Sequence, residues 1–226
     1  MNINFKKISP KTPFLKKHQR EILIGFCALI ALLVSLFFPV RLTGESFWAV
    51  FFLFFVFPSL IIFFLLKEPA ESFGISWGNF RIGVILSVAG VAIFIFVHYL
   101  IIMKPEFRNQ LIIPRGIASN FWYFLFFEVF IALPLHFFWE FFFRGFIQLG
   151  LEKKLGIYSL FLQAVLQSLL AFRGTMVMIF LTLLSSLFAG AVVRQSRSIF
   201  YSSASMWLIS VSLDIMIIRF IQQSLI

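Results

Sequence analysis

The sequence predicts an all-α fold, a polytopic transmembrane bundle of about seven membrane helices with a cytoplasmic N-terminus. Three observations predict it. Apolar residues fill 61% of the 226 positions and charged residues only 12%, with a mean hydropathy of +1.01. That is more apolar surface than a soluble domain of this length needs. The apolar residues also gather into windows near the roughly 20 residues that cross a bilayer as helix. Finally, Lys and Arg cluster between those windows.

Seven windows run in order: roughly 22–40, 47–66, 83–103, 119–139, 158–172, 175–193 and 198–218. Window one holds the lone Cys27, and window two the run Phe51-Phe52-Leu53-Phe54-Phe55. That run has no polar face and reads as lipid-facing or packed membrane helix. His98 lies within the third window, where a polar contact to a neighbouring helix is expected. The fourth contains Pro134; an eighth helix results if the chain divides there. The fifth is short and reads as tilted, re-entrant or differently bounded. The sixth carries Ser185 and Ser186, and the seventh Asp214.

Charge sets the orientation. Lys6, Lys7, Lys11, Lys16, Lys17 and Arg20 precede the first window. Alternating loops then add Lys67, Arg81, Arg144, Lys153, Lys154, Arg194 and Arg197 to the same side. The opposite side receives Arg41, Lys104, Arg108, Arg115, Arg173 and Arg219. The bias places the N-terminus inside, although the Lys104–Arg115 loop counts against it. The organisation expected is a basic cytoplasmic tail over 1–21 and a single membrane domain over 22–226. The first apolar window exceeds a signal peptide's and reads as a retained anchor. The location expected is the cell membrane.

Composition also excludes. One cysteine rules out an intrachain disulfide and Cys-based zinc. The net charge of +10 sits between apolar segments, so it meets anionic lipid and not nucleic acid. The lipid bilayer is the first partner.

Chemistry is concentrated in Trp139-Glu140-Phe141-Phe142-Phe143-Arg144-Gly145. A charge in a membrane segment costs about 2.5–3.5 kcal/mol on insertion scales. Glu140 and Arg144 lie one helical turn apart and can pair. The plain reading is mutual neutralisation near the cytoplasmic end of the window, with Arg144 snorkelling to the interface.

The surroundings carry a second reading. Glu140-x-x-x-Arg144-Gly145-Phe146, followed by Leu151-Glu152-Lys153-Lys154-Leu155-Gly156, resembles the signature helix of the CPBP family. These are the CAAX proteases and bacteriocin-processing enzymes, including immunity-type members. Phe73-Gly74-Ile75-Ser76-Trp77-Gly78-Asn79-Phe80-Arg81 resembles the family's short link before a long membrane helix. The stretch from Gly190 to Ile199 resembles its Gly-rich helix end and the start of its last motif helix. The resemblance covers about 70–215. It implies an intramembrane metalloendopeptidase in which a glutamate activates water, while histidines and a second carboxylate bind metal or stabilise the oxyanion. Zinc or another divalent metal is implied only if that site is active.

Departures from the family pattern are specific. Trp139 stands where the family has its first glutamate. The second motif's histidine falls near Gly174 or Thr175, and the third motif falls on Met206 and Ser210. The only histidines are His18, His98 and His136, all before the first motif's Glu140. A catalytic zinc takes three protein ligands, which Glu140 alone does not supply. The expectation is therefore a non-peptidase member, with Glu140 and Arg144 retained and a membrane peptide or protein as partner. Two alternatives stay open. One is an active endopeptidase built on Glu140 and His136, whose spacing could put two ligands on one ion. The other is a small transport component using Glu128, Glu140, Arg144 and Asp214.

Several polar residues have plainer readings. His136 reads as a packing histidine hydrogen-bonded to Glu140. Asp214 is expected to pair with Arg173 or Arg219. Gln163, Gln167 and Ser168, with Ser185 and Ser186, read as interhelical hydrogen bonding.

Overall fold

The protein is described from a computed structural model covering residues 18–37, 44–104, 115–171 and 174–223. Most of the basic tail, Arg41, Arg108 and Arg173 lie outside these residues. Within them the chain is mostly helical, with no strand. Six helices are long and apolar enough to cross a membrane. The chain is a multi-pass membrane protein.

The long helices are α1 Gln19–Phe37, α2 Phe47–Leu66, α3 Phe80–Ile102, α4 Phe121–Leu155, α6 Met176–Ser196 and α7 Ile199–Gln223. Between α4 and α6 lies α5, Tyr158–Leu170, with 13 residues. Local chemistry sets the boundaries. Asn79 accepts from Ile82 N, Asn120 from Trp122 N and Tyr123 N, and Thr175 from Met178 N, so α3, α4 and α6 each begin on a side-chain cap. Left-handed Lys67 and Arg197 close α2 and α6.

Helix α4 does not divide at Pro134. Over Glu128–Ala132 it widens to π geometry, and Leu133 N–H reaches back to Glu128 O. The wide turn gives the proline ring room and absorbs its missing donor, so the helix runs on. A second and longer π stretch, Phe141–Leu149, carries the Glu-x-x-x-Arg segment.

One end of the bundle collects most helix junctions. Arg20 at the start of α1 pairs with Glu68 just after α2 (2.5 Å) and donates to Gly150 O near the end of α4. The link from α2 to α3 joins the α6–α7 turn: Ile199 N donates to Gly74 O (3.0 Å) and Asn79 N to Ser196 O (2.7 Å). Glu152 pairs with Arg194 (3.1 Å) and Arg197. Since α4 ends here and α6 also ends here, α5 must carry the chain back across. Its 13 residues extend about 20 Å, short of a 30 Å hydrocarbon core. The short fifth window is thus a return helix packed on α6.

Aromatic packing between α2 and α4 forms much of the interior. Phe54 stacks on Phe142 with centroids 4.5 Å apart and meets Trp139 edge-on at 4.9 Å. Trp139 also stacks on Phe143. Outward, Phe52, Phe64, Phe96, Phe126 and Phe180 are exposed, as suits lipid contact.

Candidate functional site

Glu140 and Arg144 face the bundle interior. Arg144 is 0% exposed and Glu140 2%, and Arg144 Nη1 lies 3.1 Å from Glu140 Oε1. Arg144 does not snorkel. Gly150, whose carbonyl receives Arg20, marks the charged end of the bundle. Arg144 lies about 9 Å and Glu140 about 15 Å deeper along α4 at helical rise. Along α4, Phe121–Leu155, the pair thus lies near the middle of the helix.

Interhelical hydrogen bonds engage both Nη atoms of the guanidinium. Nη1 donates to Gln167 Oε1 on α5 (2.5 Å) and Nη2 to the hydroxyl of Ser186 on α6 (3.3 Å). The Ser186 hydroxyl donates to Gln167 Oε1 at 2.8 Å, with Gln163 Oε1 3.1 Å away. Gln163 Nε2 donates to Ser186 O at 3.1 Å. The expected interhelical role of Gln163, Gln167 and Ser186 is thus present. Ser168 and Ser185 instead bond carbonyls of their own helices.

Sequence reading did not single out Gln148, which extends the same face of α4 by one turn. Its Nε2 donates to Gly190 O at 2.8 Å. Gly190 is required for that approach: a Cβ there would stand 2.7 Å from both Gln148 Oε1 and Gln163 Nε2. Ser202 on α7, near Glu140, was also not foreseen; its hydroxyl donates to Ile199 O at 3.0 Å. Spacing from Arg144 pointed to Gln148, whereas nothing local pointed to Ser202.

The three stretches that carry the family resemblance meet around this helix. Gly145 lies so close to the link that a Cβ on it would be 2.7 Å from Phe73 O. The link in turn bonds Ser196 and Ile199. Position 139, where the family has a glutamate, is apolar and embedded among Phe54 and Phe143.

Other candidates fall elsewhere. His136 makes no hydrogen bond to Glu140, whose carboxyl turns toward Arg144 and Ser202. His98 makes no polar contact with a neighbouring helix. Its ring lies near Phe94, its Nδ1 lacks a partner, and it lines a cavity of about 380 Å³ with Leu170, Val177, Leu181, Thr182 and Leu213. Gly174 and Thr175 form the α5–α6 turn, where Thr175 is a cap. Asp214 meets Glu128, not Arg219; Arg173 lies outside the described residues.

The donor set does not fit a catalytic zinc. Among the described residues no three His, Cys, Asp or Glu side chains come together, and such a site takes three protein ligands. The neighbours of Glu140 do not satisfy it fully. Its Oε2 has no hydrogen-bond partner, and neither has Arg144 Nε. No family model, curated protein or solved structure matches the chain.

Proposed function

We propose that this chain is a CPBP-type protein of the cell membrane, N-terminus inside, that has no peptidase activity and engages a membrane peptide or protein. The observation that carries this reading is the state of Arg144. Its Nη atoms are taken up by Glu140, Gln167 and Ser186 from three helices. In the family pattern that region serves water activation, for which histidines are implied. Here glutamine and serine side chains bind the arginine instead, and the result is a cross-brace of α4, α5 and α6. Supporting the orientation, Arg20, Lys67, Arg81, Lys153, Lys154, Arg194 and Arg197 all lie at the end where α1 begins.

The test is cleavage of prenylated CAAX-type peptides by the reconstituted protein, with zinc and other divalent metals supplied. The expected result is no product above an empty-vesicle control. Turnover that disappears in Glu140→Gln would overturn the reading in favour of an endopeptidase using Glu140 as base. Photo-crosslinking from exposed α3 and α5 positions such as Phe96 and Phe161 in native membranes then tests for the partner. A discrete adduct is expected; lipid adducts alone would remove the partner half of the proposal.

A further inference from the structure

We propose that the cavity beside His98 binds a neutral single-chain amphiphile, a long-chain alcohol in chemical class, with its hydroxyl on the imidazole and its chain within the bundle. The cavity measures about 380 Å³ and is walled by four helices: His98 and Ile102 of α3, Leu170 of α5, Val177 and Leu181 of α6, and Leu213 of α7. That volume falls within the roughly 300–1,000 Å³ of small-molecule sites. Among the described residues none from α4 lines it, so its occupancy is separate from the Glu140–Arg144 pair.

Depth and polarity point to one orientation of the ligand. Helix α3 starts, α6 ends and α7 starts at one end of the bundle, where Asn79 N donates to Ser196 O and Ile199 N to Gly74 O. Measured from that end at helical rise, Thr182 and Leu213 lie about 21 Å deep, His98 about 27 Å and Ile102 about 33 Å. A hydrocarbon core is about 30 Å thick. The deeper wall therefore stands in hydrocarbon, while His98 lies near the far edge, where lipid chains give way to headgroups.

The polar side chains of the wall select the ligand's polar end. Among the described residues they are two, His98 and Thr182. His98 Nδ1 is buried without a hydrogen-bond partner. Thr182 donates its hydroxyl hydrogen to Met178 O at 2.8 Å, so its oxygen is left as an acceptor. A neutral imidazole nitrogen is a donor in one tautomer and an acceptor in the other. A hydroxyl gives and takes, so it answers either tautomer; an ester carbonyl only accepts. A carboxylate would be buried unpaired, since no described lysine or arginine lines the cavity. The chain itself gains little, because lipid tails are as apolar as the wall. Selectivity thus lies in the hydrogen bond.

The test is photolabelling of the full-length protein in lipid nanodiscs by a diazirine-bearing decanol, with adducts mapped by peptide mass spectrometry. Adducts are expected at the start of α6 and the end of α3. Unlabelled 1-decanol should compete for them, with decane and decanoate weaker by roughly three-fold or more. His98→Leu should lower labelling by a similar factor, and His98→Asn should keep most of it. Leu181→Trp, which fills the cavity, should abolish labelling at an unchanged fold, checked by the melting midpoint. Adducts spread over lipid-facing positions such as Phe96 and Phe161, and not competed by decanol, would overturn the proposal. Equal competition by decane would also overturn it, by removing the hydrogen bond. Stronger competition by decanoate would overturn it in favour of a carboxylate ligand. Both competition arms are read on wild type, so neither depends on a variant's folding.

Discussion

Glu128 and Glu140 lie on one helix, both almost fully buried, and meet opposite surroundings. Glu140 is matched by Arg144 at 3.1 Å, within a network that draws on α5 and α6. Glu128 forms no salt bridge among the described residues, and both its carboxyl oxygens lack a hydrogen-bond partner. A membrane interior tolerates a carboxyl in either setting, but for different reasons. In the first the protein supplies the counter-charge, so removing it strands an ion. In the second no side chain supplies it, so removing one acid strands nothing. The contrast separates a brace from a buried acid without a counter-charge.

The largest effect should come from breaking the brace. Arg144→Ala leaves Glu140 buried and unpaired, and should destabilise by about 3–5 kcal/mol. Folding yield and melting midpoint in detergent measure it. The double variant Glu140→Ala/Arg144→Ala should lose less than the sum of the singles, because the stranded charge goes too. Additive losses would mean that the pair is not coupled.

Gly190→Ala should rank next, at about 1–3 kcal/mol. The added methyl would press on Gln148 and Gln163, which bridge α4 and α5 to α6. Comparable melting of this variant and wild type would show that the glutamine bridge is slack.

A smaller effect separates both buried sites from the rim. Hydrogen bonding to Arg20 holds the Glu68 carboxyl below its ordinary 4.5. A lowered folded-state value means that the contribution is complete above the unfolded value and fades as pH falls through the folded one. Wild type should therefore lose stability on acidification below about 4.5, relative to Glu68→Gln, by no more than about 1 kcal/mol. A gap between the two proteins that widens as pH rises from 5 to 8 would contradict it. At the bottom of the scale, Glu128→Gln should change the melting midpoint hardly at all, within about 0.5 kcal/mol. A loss like that of Arg144→Ala would erase the contrast between the two acids.

Much of this architecture was legible in the chain, and the illegible part has physical causes. Over their described residues all seven apolar windows are mainly helical, because hydropathy reports a one-dimensional property that the bilayer enforces. The polar run in α5 could be read as interhelical bonding, since Gln163 and Gln167 repeat one turn apart in an apolar helix. Pro134 misled because a proline's effect depends on the turn before it, and the sequence does not announce a π turn. His136 misled because spacing on one helix says nothing about a carboxyl already held by Arg144. The Glu128–Asp214 contact was invisible for a different reason. No local rule tells which distant helix will pack against which, and Asp214 had two arginines closer in sequence.

The α4–α7 seam has a mechanical consequence. Glu140 meets Ser202, and Glu128 meets Asp214. The two helices run antiparallel, and both contacts are separated by the same stretch, about 18 Å on each helix. With Trp207 bonded to the Glu128 carbonyl between them, α7 is pegged like a ladder rail at matching rungs. A piston-like slide of α7 by one turn would break every rung at once. Rotation or splaying about the Ser202 end would open the rungs at Glu128, that of Trp207 included, leaving the arginine brace intact.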